Sequence, residues 1–288
     1  MKLAAIDVGS NSVRLMVSVD GKTLYKRINT TRLGEGLAQS GILLPEAISR
    51  TVGAIEGYKA HALKAGCTKI YCFATAAVRS SQNGAEFVSE VKRVCDLDVD
   101  VLSGEDEAKI GLLGAVGTKD GGIIDVGGAS TEIIMQRCGN RVFTKSLDVG
   151  VVRLYDIAGR DKDKLGEAVD QSLTALNNVK AEGKAIYAIG GTATTLASVK
   201  LGLPMYDPAK VHGTKLTVDE IKVLGEYILT LSVLDVKDLP GMDSRRADVI
   251  GGGCILLYKT MQKLGIDSVT VSENDNLEGY VLLKEGNL

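Results

Sequence analysis

The sequence predicts an α/β protein of two similar halves, each built on a mixed sheet. Three observations predict it. Ile6-Asp7-Val8-Gly9 returns as Ile124-Asp125-Val126-Gly127, each time followed by small residues and set between two apolar runs. Each copy then reaches a hairpin signal, Asp20-Gly21 in the first and Gly139-Asn140 in the second, leading into a third strand-like run. Beyond each three-run unit, short apolar runs alternate with helical periodicity, which is the pattern of βα units. A unit present in two copies suggests a duplicated domain, not a solenoid.

In the first half a helix is expected from Pro45 to Ala65. Pro45 suits the first turn, Ile48, Val52 and Ile55 share a face, and Gly66 suits the cap. A strand KIYCFAT (69–75), a helix within Gly84 to Cys95, a strand VDVLSG (99–104) and a helix opening near Glu105 follow. In the second half the expected elements are a helix from Asp163 to Ala181, a strand AIYAIGG (185–191) and a helix TATTLASV (192–199). Then come a helix from Val218 to Leu231, where Thr217-x-x-Glu220 is a capping box, and one from Ser244 to Leu264. A strand DSVTVS (267–272) and a short helix near Leu277 to Lys284 close the chain. The division falls in the Gly-rich stretch Thr118 to Gly121. Domains of 1–118 and 119–276 are expected, with the segment 277–288 returning to the first.

Composition narrows the function. The chain has 288 residues, 45% of them hydrophobic, enough for two cores. No apolar run reaches the length of a membrane span, and the N-terminus lacks the features of a signal peptide. Five scattered cysteines with no C-x-x-C read as buried thiols of a reducing, cytoplasmic protein. Two histidines, His61 and His212, disfavour a His-rich metal centre or a His-dependent triad. A net charge of -2 disfavours general nucleic-acid binding.

The repeated Asp-x-Gly turns carry the chemistry. A strand end followed by small residues exposes successive backbone N–H groups that can wrap phosphate oxygens. A carboxylate beside it cannot bind phosphate directly but can hold a hydrated Mg²⁺ that does. One such turn alone is most simply structural; two in matching positions would clamp an oligophosphate. A third turn, Gly190-Gly191-Thr192, opens a helix whose first amides suit an anion. In VLSGEDEA, Glu105, Asp106 and Glu107 open a helix. First-turn acids ordinarily complement the helix dipole, and one of them aimed at the cleft could activate water; the residues alone do not select which. FATAAVR places Thr75 and Arg79 after a strand end, where α/β sites gather. Arg153, the Arg245-Arg246-x-Asp248 stretch and His212 read as structural.

Taken together, DVGSNSVRL, ATAAVR, SGEDEA, DVGGASTE, GVVRL, IGGTATTLA, LPGMDSRRADVI and SENDNLEG resemble, in order and over essentially the whole chain, the exopolyphosphatase/guanosine pentaphosphate phosphatase (Ppx/GppA) family of the actin-like, sugar-kinase and Hsp70 ATPase superfamily. The resemblance implies two ribonuclease-H-like domains around a cleft, and Mg²⁺-dependent (or other divalent-cation-dependent) hydrolysis of a terminal phosphoanhydride. Carried over by position, Glu107 is the general base. Asp7, Ser10, Asn11 and Ser12 form the first phosphate loop, Gly127, Gly128, Ala129 and Ser130 the second, and Gly190, Gly191 and Thr192 the third. Thr75 and Arg79 meet the terminal phosphate, and Asp125 and Glu132 hold metal. The chain departs from the family at Ala129 (usually Gly), Asp106 (commonly Glu), Asn274 (Gly) and Leu277 (Arg).

The implied partner is inorganic polyphosphate or a guanosine polyphosphate, with no nucleic acid or membrane and a homodimer left open. Members with C-terminal helical domains hold long polymers; resemblance to the short two-domain members implies a weaker grip on them. Two rival readings remain. One is a kinase or phosphotransferase on the same superfold, against which Ser103-Gly104-x-x-Glu107 argues. The other is a non-catalytic alarmone- or polyphosphate-binding regulator.

Overall fold

The computed structural model describes residues 1–181 and 185–286; Asn287 and Leu288, the end of the expected C-terminal segment, lie outside the described residues. The first half opens with an antiparallel meander, β1 (Lys2–Val8), β2 (Val13–Val19) and β3 (Lys22–Asn29). Asp20 and Gly21 both take positive φ, as a two-residue hairpin turn of matching twist requires. The elements α1 (Leu37–Ser40), α2 (Pro45–Lys64), β4 (Lys69–Ala74), α3 (Ala76–Ser80), α4 (Gly84–Cys95), β5 (Asp100–Val101) and α5 (Gly104–Ala115) follow.

The second half repeats the meander with β6 (Gly121–Val126), β7 (Thr131–Arg137) and β8 (Asn140–Leu147). It continues through α6 (Val151–Ala158), α7 (Lys162–Ser172), a 3₁₀ turn at Leu173–Leu176, β9 (Ile186–Ile189), α8 (Gly190–Lys200), α9 (Pro208–Val211) and β10 (Lys215–Thr217). It ends with α10 (Val218–Thr230), α11 (Val233–Lys237), a 3₁₀ turn at Ser244–Arg246, α12 (Ile250–Leu264), β11 (Ser268–Val271) and α13 (Asn276–Glu285).

The duplication read from two short motifs extends to the topology. The first sheet runs β3-β2-β1-β4-β5 and the second β10-β11-β9-β6-β7-β8. Setting aside the short edge strand β10, both have the order third, second, first, fourth, fifth. In both, the first strand pairs antiparallel with the second and parallel with the fourth. These are two mixed, ribonuclease-H-like sheets, and the expected α/β class is borne out. Each sheet is covered by its own core. Ile6, Leu15, Ile55 and Phe87 pack on the first, and Ile124, Leu196, Leu256 and Val271 on the second.

Local expectations were corrected in several places. The second hairpin turns at Cys138-Gly139, both at positive φ, one residue before Gly139-Asn140; Asn140 already pairs with Arg137. The strand 99–104 contracts to two residues at the sheet edge, and the helix from Asp163 ends at Ser172. The short helices α1, α3, α6, α9 and α11 show no period in the sequence, and the helix expected from Ser244 begins at Ile250, after a 3₁₀ turn. The Thr217/Glu220 capping box is present, and α2 begins at Pro45 as expected.

Two helices bind the halves together. Ile110 of α5 packs with Phe73 of the first sheet and with Leu277, Tyr280 and Val281 of α13, while Ala108 and Leu112 pack on Ile123 and Ile134 of the second sheet. The helices α5 and α13 approach through glycine: a Cβ at Gly279 would overlap the Ile110 carbonyl, and one at Gly114 the Asp275 carbonyl. Leu277 is fully buried in this contact, where an Arg would have no room for its charge. Among the described residues no helix is long and apolar enough to cross a membrane.

Candidate active site

The two repeated turns are alike down to their hydrogen bonds. Gly9 N–H donates to Ser12 O at 3.0 Å, and Gly127 N–H to Ser130 O at 3.0 Å. The carbonyls of each turn are engaged from behind. Ser10 O and Asn11 O accept from Gly34 and Arg32, and Gly127 O and Gly128 O accept from Val151 and Val152 at the start of α6. The N–H groups of Ser10, Asn11, Gly128 and Ala129 have no backbone partner among the described residues. Four free amides at the tips of two facing turns make an anion receptor. The tips nearly touch: a Cβ at Gly128 would lie 2.8 Å from Ser10 Cβ and 3.1 Å from Asn11 N. Ala129 fills the position of the expected third glycine without taking positive φ, and its carbonyl accepts from Arg153 Nε.

A cavity of about 660 Å³ lies over the turns. Asp7, Ser10, Asn11, Ser12, Thr75, Glu107, Asp125, Gly127, Gly128, Ala129, Ser130, Gly190 and Gly191 all line it. Residues from five separate segments thus converge as the resemblance implied. Arg79, Glu132 and Thr192 do not line it. Thr192 is turned inward, its hydroxyl spent on Val126 O at 3.0 Å, so at most its backbone serves the third turn. Asp7 lines the cavity, and its carboxylate accepts from Arg14 Nε at 2.9 Å. Arg14 also pairs with Asp275.

The three acids at the start of α5 separate cleanly. Ser103 caps the helix, its hydroxyl accepting from Asp106 N–H and donating to Asp106 Oδ2 at 2.7 Å. Glu105 is exposed beside Arg141 and Lys109. Glu107 points inward and is 6% exposed. Arg79 Nη1 donates to Glu107 Oε2 at 3.0 Å and to Leu102 O at 2.7 Å, so Arg79 pins the carboxylate from behind. Gly104 lets this turn approach β8; a Cβ there would lie 2.5 Å from Ser146 Cβ.

Behind Glu107 lies an acidic pair. Asp125 and Glu132 are direct cross-strand partners. Glu132 Oε1 accepts from the Ser146 hydroxyl at 2.7 Å, while its Oε2 is buried without a partner. Asp125 Oδ2 accepts from Asn276 Nδ2 at 3.2 Å. Burial, with the Asp275 and Asp7 charges added, lifts Asp125 to about 6 against Arg14. Burial and the neighbouring Asp125 lift Glu132 to about 7. Burial and Glu132 push Glu107 well above the usual carboxylate range, against the pull of Arg79.

Opposite the acids stand cations that the sequence did not mark. Arg246 is buried with its guanidinium against Gly191, where any Cβ would overlap it, and its nearest carboxylate, Asp243, is 3.7 Å away. Burial lowers its pKa, as expected for a charge without a close partner. Lys26 pairs with Asp275 and Glu278 at the rim. Arg246 was read as structural because its partner turn is remote in sequence. Asp275 and Asn276 lie in the quoted SENDNLEG stretch, yet no role attached to them.

The site suits a divalent cation. Asp7 Oδ1, Glu132 Oε2 and Asn276 Oδ1 are buried oxygens without partners; burial raises Asp125, and burial with the Asp125 charge raises Glu132. Among the described residues no three acidic, His or Cys groups gather closely enough to cage an ion alone. Mg²⁺ does not need such a cage, since it takes one or two carboxylates and keeps waters and phosphate oxygens for the rest.

Two sheets of this order, with the turns after their first strands aimed into one cleft, define a two-lobed phosphoryl-handling α/β protein of the ribonuclease-H-like class. Sequence comparison sharpens the class. The profile of the Ppx/GppA phosphatase family matches residues 15–287, and the chain belongs to that family. It is 30% identical over 316 residues to exopolyphosphatase 2 of Mycobacterium tuberculosis, covering 99% of both chains. It is 31% identical over 306 residues to the bifunctional 3-dehydroquinate synthase/phosphatase of Fusobacterium nucleatum, matching 97% of this chain but 46% of that protein. The chain therefore spans about half of that relative. The crystal structure of the Aquifex aeolicus Ppx/GppA family member superposes with a TM-score of 0.80 at 28% identity, covering 100% of this chain and 98% of that one.

Proposed function

We propose that the cleft hydrolyses the terminal phosphoanhydride of inorganic polyphosphate or of guanosine pentaphosphate, with Glu107 as general base. The observation that carries this reading is the placement of Glu107. It is a buried carboxylate held by Arg79, lining the same cavity as two amide-bearing turns. The free amides of Ser10, Asn11, Gly128 and Ala129 bind the terminal phosphoryl oxygens. The Gly190-Gly191 turn at the N-terminus of α8 and the Arg246 guanidinium take the next phosphate. Glu107 orients a water and accepts its proton as the oxygen attacks phosphorus in line, and the phosphate chain leaves. Positioning and charge stabilisation suffice for such a transfer.

Asp125 and Glu132 would hold the divalent cation, which supplies positive charge to the phosphate oxygens when bound. Asp7 positions Arg14 and stays off the phosphate. The kinase reading needs a second acceptor in place of water, and a buried base set beside Arg79 favours water. The regulator reading is disfavoured because the expected carboxylates are all present and Ala129 does not distort its turn.

The test is phosphate release from purified protein with Mg²⁺ and, separately, long polyphosphate, tripolyphosphate and guanosine pentaphosphate. Release from at least one supports hydrolysis. Tight binding without release from any would overturn it in favour of the regulator, and ATP formed from polyphosphate and ADP in favour of the phosphotransferase.

A further inference from the structure

A second cavity, of about 390 Å³, adjoins the mouth of the main one, and Ser244 and Arg245 line both. Its walls come from the two halves of the chain: Asn29, Thr30 and Arg32 from the end of β3 and the loop after it, and Lys237, Arg245 and Asp248 from the second half. Three cations and one carboxylate line it, and a second carboxylate, Asp243, pairs with one of the cations from outside the wall. Asp248 is engaged by Arg32 at 2.7 Å. Arg245 is held in place by Asp243, through Nε at 2.8 Å and Nη2 at 3.0 Å. Lys237 is exposed and has no carboxylate within ion-pair reach among the described residues.

Arg32 joins the two cavities mechanically. Its backbone N–H donates to Asn11 O of the first phosphate turn at 2.9 Å, while its side chain faces the second cavity. It does this at φ +51°, a left-handed conformation unfavourable for a residue with a Cβ. Strain of that kind persists where the surrounding structure must aim a side chain.

We propose that this second cavity seats the distal phosphates of a polyphosphate chain whose end lies in the main cleft, with Lys237 as its principal free charge. The proposal rests on the reading of the cleft as a terminal-phosphate site. A polyphosphate carries a charge on every unit, so it gains from cations placed beyond the cleft. A nucleotide interrupts its phosphates with an uncharged sugar and base, and guanosine pentaphosphate offers only a 3′-diphosphate beyond them, so neither presents the continuous line of charge that a long chain does. The seat thus supplies, from within these two lobes, part of the grip on long chains that the resemblance led one to expect would be weak.

Lys237→Ala and Lys237→Glu test it, since the side chain is exposed and outside the main cleft. KM for long polyphosphate is expected to rise about threefold and about tenfold or more, respectively, with kcat unchanged and KM for tripolyphosphate within about twofold of the parent. Equal shifts for long and short chains, or no shift for either, would overturn the proposal. Equilibrium binding of long polyphosphate in excess chelator judges the seat independently of turnover. Lys237→Glu is expected to lose about tenfold in affinity there, and unchanged affinity overturns the proposal. If the parent protein binds long polyphosphate through Lys237 but releases no phosphate, the hydrolytic reading falls and the seat stands.

Discussion

Asp125 stands opposite Glu132 across β6 and β7 at the register position where Asp7 stands opposite Arg14 across β1 and β2. The two jaws share strand order, the closing hydrogen bond of the turn and the first carboxylate, and differ in the partner of that carboxylate. In the first jaw the cross-strand pair is a salt bridge. In the second it is a pair of like charges that burial lifts to about 6 and about 7. In the first jaw the carboxylate faces a cation; in the second it faces another acid, and it is there that we propose a divalent cation binds.

Removing the excess charge stabilises the unliganded protein. A buried carboxyl whose folded pKa is raised favours folding fully below its unfolded value, and that contribution is lost as pH rises through the folded one. For Asp125 and Glu132 the loss falls between about pH 4 and 7. Glu132→Gln, without divalent cation, is expected to melt higher than the parent at pH 8 and at about the same temperature at pH 4. The difference amounts to a few kcal/mol at most. Thermal melts at the two pH values check this, and an unchanged or lower midpoint at pH 8 counts against the buried like-charge pair.

The same groups set the acid limb of activity. Glu107 must be ionised to accept a proton, and burial with Glu132 nearby holds it protonated well beyond the usual range. The acid limb of kcat/KM against pH is expected to lie well above the ordinary Glu value of about 4.3. Raising the Mg²⁺ concentration is expected to move that limb to lower pH, because added positive charge favours the carboxylates. A limb that stays near 4 at every Mg²⁺ concentration would contradict the electrostatics described.

The third turn depends on a glycine at Gly190. Its φ is +80°, and a Cβ there would overlap Asp125 Oδ1. Gly190→Ala is expected to cost about 1–3 kcal/mol of stability and at least about tenfold in kcat by displacing Asp125. Chemical denaturation and phosphate release measured together check it; full activity would mean that Asp125 is free to move.

The contact that carries Glu107 is equally tight. Gly279→Ala drives a methyl group into the Ile110 carbonyl of α5. It is expected to destabilise by about 1–3 kcal/mol and to lower kcat more than it raises KM, since α5 positions the base rather than the substrate. A change in stability alone, with kcat intact, would separate α13 from the site.

What could be read in the sequence was what is encoded locally. The Asp20-Gly21 turn, the Thr217/Glu220 capping box, Pro45 at the start of α2 and both Asp-Val-Gly turns each rest on residues within a few positions of one another. The short helix α6 was missed because its 8 residues span scarcely two turns, and its role, donating Val151 and Val152 N–H to the second phosphate turn, is a tertiary contact. Glu107 could not be told from Glu105 and Asp106 by residue type. What separates them is a Ser103 cap that uses Asp106 and an Arg79 brought from another element. Arg246 carried no local signal for this contact, because it meets Gly191 only after the chain has passed through three further helices and a strand.

The central claim is that Glu107 activates water at a terminal phosphate held by the two turns. Phosphate release by Glu107→Gln, measured in Mg²⁺ beside equilibrium binding of the same polyphosphate or guanosine pentaphosphate, tests it most directly. The account predicts binding within about threefold of the parent and a turnover reduced at least about a hundredfold. Turnover above a few per cent of the parent, with the fold intact, would contradict it.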